Sequence, residues 1–344
     1  MILPISYTEE HIRSLQKISK RDPVLLERAV YAFGLLESLT RVGMPFIFKG
    51  GTSLMLLMDH PRRLSTDIDI IVEPGTNLDA FLQGASGIFP FRSVKEQTRI
   101  GKNNIEKRHF KFTYDSPINQ RPLYILLDVL FEENHYEELI TKEIRNDLLQ
   151  TRPEYLTVQV PSTDCILADK LTAFAPHTTG IPLDVGKDME VMKQFYDVIS
   201  LLDIFTDTEK VRRTYMKIAK EELAYRGMDD SAENCLRDTF DAALCIASRG
   251  KFNAEEYPLY VKGIRDLRGH IYAENYSPEI AAVRASKVLY MTACLLAGKE
   301  FEQLEEPAAF IGEKLTQDKL LPLAYLRKAS AEAYAYAIKA DRLL

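Results

Sequence analysis

The hydrophobic pattern of the chain changes period along its length. Asp22-Pro23 supplies a cap and a first-turn proline, and Leu26, Val30, Phe33 and Leu36 recur at helical spacing until Gly43 stops the run. Short apolar stretches follow. Pro45–Phe48 predicts a strand, Thr52 opens a helix through Leu57, and Thr66–Glu73 predicts a strand ended by Pro74-Gly75. A helix is expected from about Asn77 to Gln83. His109–Tyr114 alternates as a half-exposed strand does, whereas Tyr124–Phe131 is apolar on both faces except at Asp128 and predicts a buried central strand. Leu156–Val160 predicts one more. Pro161-Ser162-Thr163-Asp164 then caps a helix with Leu167, Leu171 and Phe174 on its core face. A loop punctuated by Pro and Gly covers 175–182 and is expected to border the cleft. The next helix, from Asp188 to Ile204, turns Val191, Phe195, Val198, Ile199 and Leu202 inward. From about residue 206 onward the period is helical, broken near Gly227, Gly250-Lys251, Tyr257-Pro258, Gly298 and Pro307, with no internal repeat.

This order predicts an α+β protein. Residues 1–205 form a mixed sheet with flanking helices, and residues 206–344 form a mainly helical C-terminal domain. A chain of 344 residues, 46% hydrophobic and 27% charged, suits two packed lobes of an ordinary globular protein. The N-terminus has no basic region followed by a long apolar stretch, and uninterrupted apolar runs such as Val288–Ala297 are short for a bilayer, so a cytoplasmic location without membrane contact is expected. Four scattered cysteines, none in a Cys-x-x-Cys pair, point to neither a zinc site nor a disulfide framework. A net charge of −6 argues against a uniformly basic nucleic-acid coat but leaves room for local patches. Lys95, Arg99, Lys102, Lys107, Arg108 and Lys111 form one cluster, and Lys210, Arg212, Arg213, Lys217 and Lys220 another. Each reads either as a solvated face or as a surface for a phosphate-rich acceptor.

The candidate chemistry lies between Phe48 and Gly75. Gly50 and Gly51 form a tight turn between strand and helix, where free backbone N–H groups, with the Thr52 or Ser53 hydroxyl, suit a phosphate. Taken alone it is also an ordinary glycine turn. It matches no Walker pattern and no G-x-G-x-x-G. Asp67 and Asp69, two apart on a strand, share a face, and two carboxylates that close are relieved by a divalent cation. Asp128 in its apolar run likewise needs a cation or several donors, either a metal or an arginine with backbone amides. Lys170 lies on a flank of its helix, as a lysine snorkelling to water does. Lys193 and Asp197 are spaced as an i,i+4 surface pair. His177 sits in its loop without metal-ligand spacing.

Lys49-Gly50-Gly51-Thr52-Ser53-Leu54 and Arg63-x-Ser65-x-Asp67-Ile68-Asp69 together resemble the AbiEii/AbiGii-type toxin family, nucleotidyltransferases of the polymerase-β-like superfamily found in bacterial toxin–antitoxin and phage-defence systems. Ala168–Phe174, Lys187-Asp188 and Tyr196-Asp197-Val198 match too, so the resemblance covers about residues 25–205. It implies a Mg²⁺- or Mn²⁺-dependent transfer of NMP from an NTP to an acceptor hydroxyl, with RNA, notably the tRNA 3′ end, as acceptor and an antitoxin encoded nearby. It also implies roles. Asp67, Asp69 and Asp128 are metal-facing, Gly50, Gly51, Thr52, Ser53 and Arg63 bind the nucleotide, Lys170 reaches the phosphates, and Asp197 helps form the active site beside that lysine. The chain departs from many relatives in lacking an arginine-rich stretch between Lys170 and Asp197.

Three other readings use part of this pattern. A nucleotide-sugar glycosyltransferase holds Mn²⁺ and a diphosphate on Asp-x-Asp but leaves the glycine turn and Asp128 without a part. Haloacid-dehalogenase phosphatases place the pair at the end of an apolar strand, and here it begins one. A non-catalytic nucleotide- or partner-binding protein would not need all three carboxylates.

Overall fold

The computed structural model describes residues 1–58, 60–97, 106–272 and 274–344. Arg99 and Lys102 of the first basic cluster lie outside the described residues. By contacts the chain divides into two compact units: residues 1–162 with 269–274, and residues 163–268 with 275–344.

The first unit is a mixed seven-stranded sheet with helices. It runs α1 (Glu9–Ser19), α2 (Pro23–Arg41), β1 (Ile47–Lys49), α3 (Gly50–Leu57), β2 (Ile68–Val72), α4 (Asp79–Ser86), β3 (Phe91–Glu96), β4 (Lys107–Asp115), β5 (Pro122–Phe131), β6 (Leu139–Glu143) and β7 (Thr157–Pro161). The strand order is β3-β4-β5-β2-β1-β7-β6. β2 runs parallel to β5 and β1 to β7, while the other pairings are antiparallel. The α+β fold with a mixed sheet, flanking helices and a helical C-terminal region is as expected.

Helix α2 starts where its cap predicts, with Asp22 Oδ1 accepting from the amides of Val24 (2.9 Å) and Leu25 (3.0 Å). A buried polar anchor fixes it to the sheet. The Glu27 carboxylate accepts from the Tyr114 hydroxyl (2.9 Å), the Ser116 hydroxyl (2.9 Å) and the Ile118 amide (3.2 Å). Burial pushes the Glu27 pKa up, and the three donors work against that shift. Tyr31, one turn on, stacks on Tyr114 at 3.9 Å between ring centroids. With α2 so placed, Arg28 reaches the edge of β2.

Two sequence expectations change here. β5 is not buried on both faces. Ile125, Leu127, Val129 and Phe131 are buried, while Tyr124, Leu126, Asp128 and Leu130 line a face open to varying degrees. Apolar Leu126 and Leu130 on that open face hid the alternation. Asp128 is therefore 33% exposed in its side chain rather than enclosed, so burial is not what demands a partner for it. The strand predicted from Thr66 begins at Ile68, which puts Asp67 just ahead of it.

The second unit is helical: α5 (Thr163–Ala173), α6 (Asp188–Leu201), α7 (Thr208–Arg226), α8 (Ala232–Ala247), α9 (Tyr257–Leu267) and α10 (Pro278–Ala297), followed by short turns and a last helix, Ala331–Asp341. The predicted breaks near Gly227, Gly250-Lys251, Gly298 and Pro307 fall outside these helices, whereas Tyr257-Pro258 opens α9, and Gly227 and Gly298 take the left-handed conformation that ends α7 and α10. Helices α5 and α6, counted in residues 1–205 by pattern, pack with this unit. α10 alone among the described helices is long and apolar enough to cross a membrane, yet 67% of its apolar window is buried inside the protein, as in a core helix. In the second basic cluster, Arg212 and Arg213 pair with Glu209 and Lys210 with Asp164. These ion pairs offset much of the cluster's charge.

Candidate active site

The strand register of the first unit builds one row of charged residues across four strands. Lys49 on β1 is level with Asp69 on β2, Asp69 with Asp128 on β5, and Asp128 with His109 on β4. Neighbouring strands lie about 4.8 Å apart, so Asp69 and Asp128 are directly opposed like charges, a destabilising arrangement. The cation-capable residues at both ends of the row offset it. His109 Nδ1 lies 2.7 Å from Asp128 Oδ1, the distance of a charge-assisted hydrogen bond with the ring donating. Arg28 Nη2 lies 3.5 Å from Asp67 Oδ1 at the edge of the row.

The glycine turn meets this row. Helix α3 begins at Gly50 itself, whose φ of +79° is left-handed. A Cβ there would overlap the Asp69 carboxylate, so glycine is required both for the backbone and for the approach of the acid. The first amides of α3 and their dipole thus stand beside Asp69. Gly51 is in close quarters too, since a Cβ would lie 2.6 Å from Arg63 Nη2 and 2.8 Å from Ser65 Oγ, but its backbone is ordinary and those side-chain ends could shift. Arg63 is buried against this turn. Its backbone bridges to Ile271, and Leu64 and Tyr272 bond to His270 and Arg62 across the same pairing.

The two hydroxyls expected to meet a phosphate are engaged elsewhere. Thr52 Oγ1 donates to the Asp67 carbonyl (2.6 Å) and Ser53 Oγ to the Gly50 carbonyl (2.8 Å), and both residues are fully buried. They brace the turn that carries the acids. Arg28 and His109 were missed in the sequence. His109 stands at an outward position of an alternating strand, which was a usable signal, whereas nothing local marks Arg28.

Hard oxygen donors are the chemistry that Mg²⁺ or Mn²⁺ takes, and Asp69 and Asp128, level on adjacent strands, are donors of that kind. Among the described residues no three His, Cys, Asp or Glu side chains converge enough to enclose one. Asp67 is turned to Arg28 and Asp128 to His109.

In the second unit the structure brings Lys170 and Asp197 together. Lys170 Nζ lies 3.1 Å from Asp197 Oδ2 and donates to Gln194 Oε1 at 2.9 Å. Their side chains are only 6% and 2% exposed, so Lys170 does not snorkel and Asp197 is a buried acid rather than a surface one. An ion pair this deep binds α5 to α6.

His177 is more than loop decoration. Its ring lies between Asp238 (2.7 Å from Nδ1) and Glu256 (2.9 Å from Nε2), its amide and the Thr178 hydroxyl both donate to Asp238, and the loop is thereby tied to α8 and the start of α9. Partial burial disfavours the charged ring, but the bonds and charges of Asp238 and then Glu256 outweigh it, so the His177 pKa is raised. A raised histidine pKa means stabilisation fully present below the unfolded value near 6.5 and lost as pH climbs through the folded value. Amide exchange of residues 175–182 is expected to speed up as pH rises above the ordinary histidine value near 6.5, beyond its intrinsic rise, and His177→Gln should remove the pH-dependent part. An unchanged profile in the variant would exclude the clamp.

A family model described as nucleotidyl transferase AbiEii toxin, type IV TA system, matches residues 35–276, more than half of the chain. No curated protein matches it. Solved structures resemble it distantly. JHP933 from Helicobacter pylori shares 13% identity over 79% of this chain and 93% of its own, with a TM-score of 0.44. A candidate nucleotidyltransferase from the same organism shares 12% over 79% and 96%, with a TM-score of 0.46. An antigenic nucleotidyltransferase-like protein from Paracoccidioides brasiliensis shares 15% over 58% and 90%, with a TM-score of 0.37.

Proposed function

Because the chain belongs to the AbiEii nucleotidyltransferase toxin family, we propose that it moves an NMP from an NTP to a hydroxyl of an RNA acceptor, such as a tRNA 3′ end. It does so in the cytoplasm, as the toxin of a type IV toxin–antitoxin pair active in phage defence. The observation that carries this reading is the row Lys49, Asp69, Asp128, His109 beside the left-handed Gly50. Opposed carboxylates at a helix N-terminus are a poor structural choice and a good one for handling cations and phosphates together.

Asp67, Asp69 and Asp128 would hold Mg²⁺ or Mn²⁺, which when bound supplies charge neutralisation of the triphosphate. The acceptor oxygen attacks the α-phosphorus, the bond to the β-phosphate oxygen breaks, and pyrophosphate leaves with that electron pair. The hydroxyl proton passes to Asp128, which His109 keeps turned by its hydrogen bond. The Gly50 and Gly51 amides at the start of α3 donate to phosphate oxygens, with Thr52, Ser53 and Arg63 bracing that turn. The resemblance assigns Lys170, which is paired with Asp197, to the nucleotide phosphates. The antitoxin is the second partner.

Incubating the protein with each α-labelled NTP, Mg²⁺ and total RNA tests this reading. Label from one NTP should enter RNA and inorganic pyrophosphate should appear. Label in no macromolecule with any NTP would remove the transferase reading.

A further inference from the structure

The sheet face that carries Asp69, Asp128 and His109 continues outward along β5, β4 and β3. Side chains two apart on a strand share a face, so Asp128, Leu126 and Tyr124 align on β5 with His109, Lys111 and Thr113 on β4. Lys95 and Ser93 of β3 extend the rows. Within this face Lys95 and Lys111 are cross-strand partners, two like charges directly opposed. The acidic residue of β3, Glu96, does not relieve them. It belongs to the other face, where it takes a two-pronged bond from Arg108 at 2.8 and 2.9 Å. Among the described residues Lys95 makes no ion pair, and Lys111 Nζ lies 4.4 Å over the ring of Tyr124. Tyr124 is a large ring left 40% exposed.

Opposed lysines without an anion, next to an open aromatic ring, are a cost that a polyanion with planar faces relieves. Tyr124 and Asp128 are four residues apart on one strand, about 13 Å, so a bound strand two or three nucleotides long can run from the ring to the carboxylates. We propose that this face of β3–β5 receives the single-stranded end of the RNA acceptor, with phosphates on Lys95 and Lys111 and one base stacked on Tyr124. The inference rests on the transferase reading for its biological sense, but the binding it claims does not require catalysis.

The test is binding of a fluorescein-labelled, mixed-sequence RNA oligonucleotide of about 12 nucleotides across a salt series, with the full chain. Lys95→Ala with Lys111→Ala should weaken binding roughly tenfold and reduce the log–log salt slope by about 1.4, the value for two phosphate contacts on a single strand. Tyr124→Ala should weaken binding roughly tenfold with the salt slope unchanged, and Tyr124→Phe should retain it, because stacking needs the ring and not the hydroxyl. NTP KM should not move in any of them. Affinity and slope equal to the parent in both alanine variants would overturn the proposal and leave the face to a protein partner. If the oligonucleotide binds as stated while no NTP is ever transferred, the surface stands and the transferase reading falls.

Discussion

Asp69→Asn is expected to lower nucleotidyl transfer by on the order of a thousandfold or more, about 4 kcal/mol of barrier, with the fold intact. The residue is central in three ways. It is level with Asp128 on the parallel neighbour, level with Lys49 on the other side, and its carboxylate lies against Gly50 at the start of α3. Asparagine keeps the shape and removes the charge that a divalent cation requires. The same charge opposes Asp128 in the metal-free protein, so the melting temperature without metal should stay level or rise slightly. Initial rates and thermal melts on the same preparation check both halves. Full activity in the variant would remove Asp69 from the metal-facing set, and a large loss of stability would make it a structural acid instead.

That residue was legible because its surroundings are local in sequence. The glycine turn, the Asp-x-Asp spacing and the β-branched run after it fall within Phe48–Gly75, and each is set by backbone rules that a single chain displays. Helix α2 was legible for the same reason, through Asp22 and Pro23. What escaped depends on partners far away in sequence. Asp128 is legible as a strand residue but its half-open environment is not, since Leu126 and Leu130 are apolar whether or not their face is covered. His109 acquires meaning only through its register with Asp128. Thr52 and Ser53 read as open hydroxyls because nothing in the string shows that they turn back onto backbone carbonyls. His177 looked idle because its two acids come from α8 and from the residue before α9.

Lys170 and Asp197 make the same point energetically, and the largest stability effect is expected there. Helical spacing assigned each to the flank of its own helix, and only the packing of α5 on α6 shows a buried pair. Asp197→Ala leaves the Lys170 ammonium with Gln194 in a nearly solvent-free place, at a cost of about 3–5 kcal/mol. In a unit of this size that corresponds to a fall in melting temperature on the order of 10 °C. Lys170→Met alone should also be damaging, because it removes the ammonium paired with a buried carboxylate. The double change, Lys170→Met with Asp197→Leu, replaces the pair by apolar groups of comparable volume and should recover most of the lost stability. Transfer is where the two roles separate. A lysine that serves the nucleotide phosphates cannot be replaced by packing, so the double variant should melt near the parent temperature and remain inactive, with its metal affinity unchanged. Recovery of both melting temperature and NTP kinetics would make the pair a fastener between two helices and nothing more.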